Sequence, residues 1–360
     1  MLLNLIRDKW IAIRRRDGTK ERIAPWEITS DYLTNPIVTL DAPRPDFNGA
    51  LIQFLIGIVQ TVTPPKDEED WEDHLHEPPT PVRLEEIFSC VAHAFELGGN
   101  GPRFMQDFQS LQTEELRIAN LLIETPGENA LRNNTDHFIK RGGVETMCPP
   151  CCATALFALQ TNAPSGGAGH RTSLRGGGPL TTVVLGDGTE SNTLWQMVWL
   201  NVLEEDTFLR TCGNPAKTAE EDKFPWLAPT RTSEPKSGRE TNPEDVHPAQ
   251  MFWGMPRRIR LNLDDCVRSI CEICGALDSN CVRAYRTKNY GVNYTGPWHH
   301  PLSPHTRKEG IPVPVHAQPG GVSYRHWLGL VQEDEKRSRE PSRIVHHFRE
   351  NRQKAEDPFR

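Results

Sequence analysis

The chain has 360 residues, a formal net charge of −7 from 41 Lys and Arg against 48 Asp and Glu, and an apolar fraction of 36%, enough for a core in one large or two medium domains. That acidic balance argues against a free-standing, sequence-blind coat for nucleic acid, which depends on neutralising phosphates. Thirty prolines and 27 glycines predict long irregular connections and exclude a regular barrel or doubly wound sheet.

Residues 2–23 alternate apolar and polar around Asp17-Gly18, the pattern of a β-hairpin. The first residues lack the apolar stretch and small-residue cleavage site of a secretory leader. The longest apolar run, residues 50–59, is broken by Gln53 and is too short to cross a bilayer. A cytoplasmic protein without membrane contact is expected. Pro45 and Asp46 open a predicted helix in which Phe47, Leu51, Phe54, Leu55, Ile58 and Val59 share a face until Pro64-Pro65. Residues 66–77 are strongly acidic and read as a solvated loop, and 78–81 as a proline linker. A second helix follows Thr80 or Pro81, carries Leu84, Ile87, Phe88, Val91, Ala92 and Phe95, and ends at Gly98-Gly99.

Residues 127–143 have no period and read as a loop; 153–160 read as a short apolar helix, and 180–185, L-T-T-V-V-L, as a strand. A helix with Trp195 and Trp199 on one face is predicted over 192–203, a loop or insertion over 212–250, a strand over 251–263 and a hairpin over 285–298. From 332 onward the chain is almost wholly charged, and no internal repeat is present. The fold class is therefore α+β: one large irregular body with long loops over residues 1–330, then a charged connecting segment over 331–360.

Nine cysteines form an odd count, and reduced thiols or metal ligands fit it better than a disulfide framework. Two C-x-x-C pairs stand out, Cys148 with Cys151 and Cys271 with Cys274. Structural zinc prefers four thiolate or imidazole ligands closed to water, and C-x-x-C is a tight loop that aims two sulfurs at one ion. A tetrathiolate of these four would staple segments far apart in the chain, where a cross-link restricts the unfolded state most. Rival ligands are Cys152, Cys266, Cys281, His299, His300 and His305, which leave open a Cys-Cys-His-His site using only the second pair. The bland reading is two pairs of buried thiols. A redox C-x-x-C fits poorly, because no thioredoxin-like β-α-β surrounds it.

Residues 129–175 carry five Lys or Arg against two acids, a local basic patch able to meet phosphate on an acidic molecule. Within it, Gly166, Gly167, Ala168 and Gly169 make a glycine-rich loop followed by Arg171 and Arg175. It lacks the G-K-[ST] ending of a phosphate-binding P-loop. What remains is close approach: without side-chain bulk, backbone groups can reach a groove while the arginines anchor phosphates. An ordinary surface loop has the same composition. The stretch Asn133, Asn134, Thr135, Asp136, His137, Phe138, Ile139, Lys140, Arg141 is dense in donors with one aromatic, which suits single-stranded RNA or a protein partner. A capping loop would use Asn134 and Asp136 instead. None of the usual hydrolase motifs is present. A zinc-dependent hydrolase or nuclease built on His299, His300 or His305 is the competing reading.

Several segments together resemble the large subunit (CasA) of the type I-E CRISPR surveillance complex, Cascade. They are N-L-I-R-D-K-W-I-A-I-R-R-R-D-G, P-D-F-N-G-A-L-I-Q-F-L-I-G, P-G-E-N-A-L-R-N-N-T-D-H-F, C-P-P-C, the glycine loop with L-R-G-G, L-W-Q-M-V-W-L-N-V-L, M-F-W-G-M-P-R-R-I, C-E-I-C-G and P-W-H-H-P-L-S-P. They span most of residues 3–305. The resemblance implies a non-catalytic subunit that reads a short protospacer-adjacent motif (PAM) of double-stranded DNA from the minor groove. It also implies contact with the guide RNA 5′ handle, other Cascade subunits and a recruited helicase–nuclease. Minor-groove readout is degenerate and suits a permissive backbone loop, while further specificity comes from guide pairing.

Carried over by residue, the resemblance makes Gly166 to Gly169 the motif-reading loop and places a lysine finger at Lys288, with Arg286 the alternative and Thr287 at the expected spacing. Asn133 to Phe138 would engage the RNA handle, and Cys148, Cys151, Cys271 and Cys274 would hold zinc. Family members continue past a segment like E-D-P-F-R into a duplex-splitting wedge and a C-terminal helical bundle. Both are expected to be missing here.

Overall fold

The computed structural model describes residues 3–126, 131–134, 136, 142–164, 166–167, 169–186, 192–211, 213–317, 320–334 and 338–352. Alternation in β1 (Ile11–Arg15) turns Ile11 and Ile13 inward. The chain reverses at Gly18, whose φ of +90° suits only glycine well, into β2 (Lys20–Ile23). Ile11 faces Ile23 and Ala12 faces Arg22. β3 (Ile37–Leu40) adds to the other edge, giving a sheet of order β2-β1-β3. Pairing begins at Ile11 and not at residue 2, because the Asn4 side-chain oxygen accepts from the amides of Ile6 and Arg7 and closes a turn first.

The predicted first helix is α1 (Pro45–Val62), with proline in its first turn where no amide partner is needed. Phe54 on α1 is the hub of the core. The rings of Trp10, Phe95, Phe104, Phe157 and Trp253 stand edge-on to it at 5.3–6.1 Å, an arrangement that adds quadrupole attraction to burial.

The acidic stretch is a helix, α2 (Glu68–His76), and the expectation of a loop is corrected. Asp67 caps it by accepting from the Asp70 amide at 2.9 Å, and its acids sit at the favourable dipole end. Trp71 and Leu75, four apart, bury the inner face. α3 (Pro81–Ser89) is capped by Thr80 and stops sooner than predicted; a 3₁₀ turn, Ala92–Phe95, carries the remaining apolar residues. After β4 (Glu115–Arg117), α4 (Pro149–Asn162) packs along α1.

Residues 180–185 form no strand. Their amides bond to loops, Leu180 N–H to Val315 O and Thr182 N–H to Leu302 O. α5 (Leu194–Trp199) stacks Trp195 on Trp199 at 5.1 Å. The indole N–H groups of Trp71 and Trp199 reach each other's carbonyls, tying α2 to α5. α6 (Glu205–Thr211) follows. Residues 213–250 hold α7 (Glu220–Lys223) and β5 (Glu240–Thr241) and are no mere insertion: Phe224 and Trp226 plug the aromatic core, and the Trp226 indole donates to Ala94 O at 2.6 Å.

The predicted strand over 251–263 starts late, since α8 (Gln250–Trp253) precedes β6 (Arg258–Leu261). β7 (Val267–Ile270) and β8 (Leu277–Cys281) make a two-stranded ribbon. β9 (Ala284–Lys288) is the middle of the sheet β4-β9-β6 and not half of a hairpin with β10 (Asn293–Tyr294), which pairs in parallel with β5. β11 (His305–Lys308), β12 (Ile311–Pro314) and β13 (Arg339–Glu340) form a further sheet beside α9 (Tyr324–Val331).

The charged segment docks through α10 (Arg343–His347) and a π turn, Phe348–Arg352, burying Ile344, Phe348 and Arg352. The Arg352 guanidinium lies 4.1 Å from the Trp71 ring centroid and 2.5 Å from a Glu204 carboxylate oxygen. Burial alone would raise the Glu204 carboxyl, but His347 and Arg352 outweigh it and hold it at about 2. Among the described residues no helix is long and apolar enough to cross a membrane.

Candidate metal centre and nucleic-acid interface

Cys148 caps α4, and Pro149 and Pro150 fill its first two positions, so Cys151 arrives on the same side within one turn. Cys271 and Cys274 sit in the turn between β7 and β8. Two bonds tighten that turn, Gly275 N–H to Cys271 O and Cys271 N–H to Ala276 O, each 2.8 Å. The two knuckles are held together by the Glu272 carboxylate, which accepts from the amides of Glu145 and Thr146, and by the paired backbones of Met147 and Val282.

The four sulfurs consequently lie within 4.8 Å of one another, with Cys148 Sγ 3.6 Å from Cys274 Sγ. Tetrahedral Zn–S bonds of about 2.3 Å require sulfurs ~3.8 Å apart, so the donor set fits zinc. The crowded thiols compete for protons. The Cys151 thiol is pushed up, chiefly by its hydrogen bond with Cys148, while bonds from Cys148 and Cys151 draw the Cys274 thiol below its usual range.

The rival ligands are elsewhere. Cys152 donates to Met147 O and Cys281 to Ser269 O. Among the described residues the four C-x-x-C cysteines are the only group of three or more His, Cys, Asp or Glu within metal-ligand range of one another. His299 and His305 meet edge to face at 4.5 Å, and His300 stands against Phe252 at 5.2 Å. Burial holds His299 at about 4 and His305 at about 3, and drives His300 well below its usual range. These histidines are neutral packing residues, and the mixed Cys-Cys-His-His site is corrected.

The glycine loop leaves the other end of α4. Gly166 and Gly167 are exposed; Gly167 has φ +88° and Gly169 φ +77°. The loop leans on the turn after β9, where Tyr290 N–H donates to Gly169 O at 2.8 Å. A Cβ on Gly169 would lie 2.8 Å from the Asn289 Cβ, so close packing requires glycine there. The Arg257 guanidinium grips the loop, donating to Pro164 O and reaching His170 Nδ1 at 2.6 Å. Lys288, at the end of β9, is half exposed, its Nζ 3.8 Å from a Glu234 carboxylate oxygen. Arg171, part-buried, donates to Ser233 Oγ at 2.8 Å. Arg286 is engaged with Glu115 and Thr113 O, and Thr287 with Arg258 O.

Arg175 is corrected. It is 2% exposed, and its guanidinium donates to Gln53, Thr181 and Ser303. Burial lowers it to about 9; it pins the segment after the loop to α1 and offers nothing to a phosphate. Ala168 lies outside the described residues, as do Thr135, His137, Phe138, Lys140 and Arg141. Asn133 and Asn134 are exposed, Asn134 with φ +50°, and Asp136 is part-buried. Sequence reading did not find Arg257, Asn289 or Tyr290 at the loop. Nothing local marks them, since each joins it by tertiary contact.

An irregular α+β body thus carries four clustered cysteines at one end of α4 and an exposed glycine turn at the other. The sequence model of the family described as CRISPR-associated protein Cse1 matches residues 4–360, and the chain belongs to that family. The fold is similar to the crystal structure of Thermobifida fusca Cse1, with TM-score 0.68 and 18% identity, over 95% of this chain and 65% of that one. A crystal structure of Thermus thermophilus CasA gives TM-score 0.63 and 17% identity, over 96% of this chain and 64% of that one. A chain of a structure described as a CRISPR RNA-guided surveillance complex gives 0.66 and 16%, over 96% and 68%. The chain thus spans 65% of the length of the Thermobifida relative, and at these identities the likeness establishes the fold.

Proposed function

We propose that this chain is a non-catalytic, DNA-reading subunit of an RNA-guided antiviral complex in the cytoplasm. Gly166, Gly167, Ala168 and Gly169 lie in the minor groove of the protospacer-adjacent motif, and Lys288 and Arg171 flank them. Residues 133–141 meet the guide RNA 5′ handle and neighbouring Cascade subunits, and the assembled surface recruits the helicase–nuclease. Cys148, Cys151, Cys271 and Cys274 hold a structural zinc, whose chemistry is cross-linking and not water activation, because four protein sulfurs leave no open position.

The observation that carries this reading is the exposed left-handed turn at Gly167, where an added Cβ would meet nothing within 4 Å, docked beside the strand end that bears Lys288. A backbone without side chains can approach a groove floor that tolerates several sequences. A Cβ on Gly166 would strike His170 and Arg257, whereas Gly167 has open space but a φ of +88° that strains any side chain, so Gly167→Ala reports the backbone cost alone and Gly167→Asp adds bulk and charge. In the reconstituted guide-loaded complex, Gly167→Asp should weaken binding of motif-bearing duplex at least tenfold, an effect of the order of ~1–3 kcal/mol. Gly167→Ala should weaken it less. Wild-type affinity for the Asp variant would overturn the loop's assignment.

A further inference from the structure

The metal centre has a neighbour outside the two knuckles. Arg22 lies on β2, opposite Ala12, and its Nη2 is 3.6 Å from Cys274 Sγ, an N–H to sulfur contact. Two other cations of this hairpin have carboxylates, Lys20 with Asp41 at 2.9 Å and Arg15 with Glu21, while Arg14 and Arg16 stand exposed to solvent. Among the described residues Arg22 has no carboxylate in ion-pair contact, and the partner the structure provides for its guanidinium is a thiol sulfur. A half-buried charge without a counter-charge is costly. Four thiolates around a divalent ion carry two net negative charges, which would supply the missing counter-charge.

We infer that Arg22 is an outer-sphere positioning residue of the metal centre, orienting Cys274, offsetting part of the tetrathiolate's charge and tying the N-terminal sheet to the ion. The centre then joins three segments: the start of α4, the β7–β8 turn and β2. A cavity of about 280 Å³ borders this junction, and Arg22, Lys20, Cys151 and Cys274 all line it. The cavity thus lies beside Cys151 and Cys274, and Arg22 forms part of its wall. The inference concerns the metal only and stands apart from the DNA-reading assignment.

The test uses the full chain loaded with zinc or cobalt(II). Arg22→Gln and Arg22→Ala should lose about tenfold in zinc affinity, measured by competition with a chromophoric chelator, as outer-sphere partners typically do. The sulfur-to-cobalt charge-transfer band should shift in both. Arg22→Lys, which keeps the charge but not the planar donor, should fall between them and the wild type. Lys20→Gln, on the same strand, should match the wild type. Should both Arg22→Gln and Arg22→Ala bind zinc within about twofold of wild type with an unshifted band, the inference fails. It fails equally if they melt earlier at saturating zinc yet keep wild-type affinity and spectrum, since that result describes packing alone.

Discussion

The two ends of α4 solve opposite problems with the same helix. At the N-terminal end, side chains do everything: Cys148 and Cys151 are buried and meet Cys271 and Cys274 from a distant ribbon. At the C-terminal end the useful property is the lack of side chains, and Gly166 and Gly167 stay exposed. Fourteen helical residues separate them, roughly 20 Å at the ordinary rise. A mutation at the first end should therefore act through stability, and one at the second through binding. The contrast teaches that a cysteine cluster and an exposed turn can share one helix while depending on opposite properties of their residues.

The strongest way to break that contrast is to remove a ligand. Cys271→Ser should abolish stoichiometric zinc and cost several kcal/mol, since metal binding energy is folding energy in such sites. Elemental analysis and a thermal melt report both, and a variant keeping its metal and melting point would end the staple reading. The strut itself can be weakened at its centre. Phe157 on α4 stands 5.7 Å from the Phe54 ring and stacks near Phe104, and Phe157→Ala should cost about 3–5 kcal/mol. Chemical denaturation measures this, and duplex binding should fall alongside because the helix carries the loop; a stability loss with unaltered duplex binding would show that the loop does not depend on the core beneath it.

Acid separates metal release from the rest of the fold. His299 at about 4 and His305 at about 3 lie below their ordinary 6.5, chiefly through burial. The unfolded chain therefore takes up these protons first. Their contribution to stability is complete above pH 6.5 and drains as pH falls toward 3, by on the order of 3 kcal/mol per ring. His305→Leu should flatten that limb in denaturant titrations at pH 7 and pH 4.5; an unchanged limb would assign the acid loss to the thiolates. The smallest effect belongs to the open surface. Lys288→Ala should weaken duplex binding about equally across motif sequences and reduce the salt slope by about 1, with stability untouched. A sequence-dependent loss would make Lys288 a base reader and not a phosphate contact.

Much of this was legible before any fold. Phe47, Leu51, Phe54 and Leu55 announce α1 by their spacing, and the cysteine pairs announce by theirs a cluster able to hold a metal. Acidic composition hid α2, because only Trp71 and Leu75 face inward and the capping Asp67 looks like one more loop acid. The β-branched run at 180–185 lacks a strand partner, and propensity without a partner makes no sheet. Arg175 looked like a phosphate anchor because basicity is visible in sequence and depth is not.

Local chemistry alone settled the helix caps and apolar faces, the cysteines' suitability for an ion and the turn's need for glycine, since each depends on residues a few positions apart. Folding decided the rest: that the sulfurs converge, that Arg22 finds one of them, that Arg175 is buried and that Arg257, Asn289 and Tyr290 support the loop. Such long-range pairings leave no periodic trace. They arise only when burying the aromatic hub around Phe54 brings distant segments to the same place.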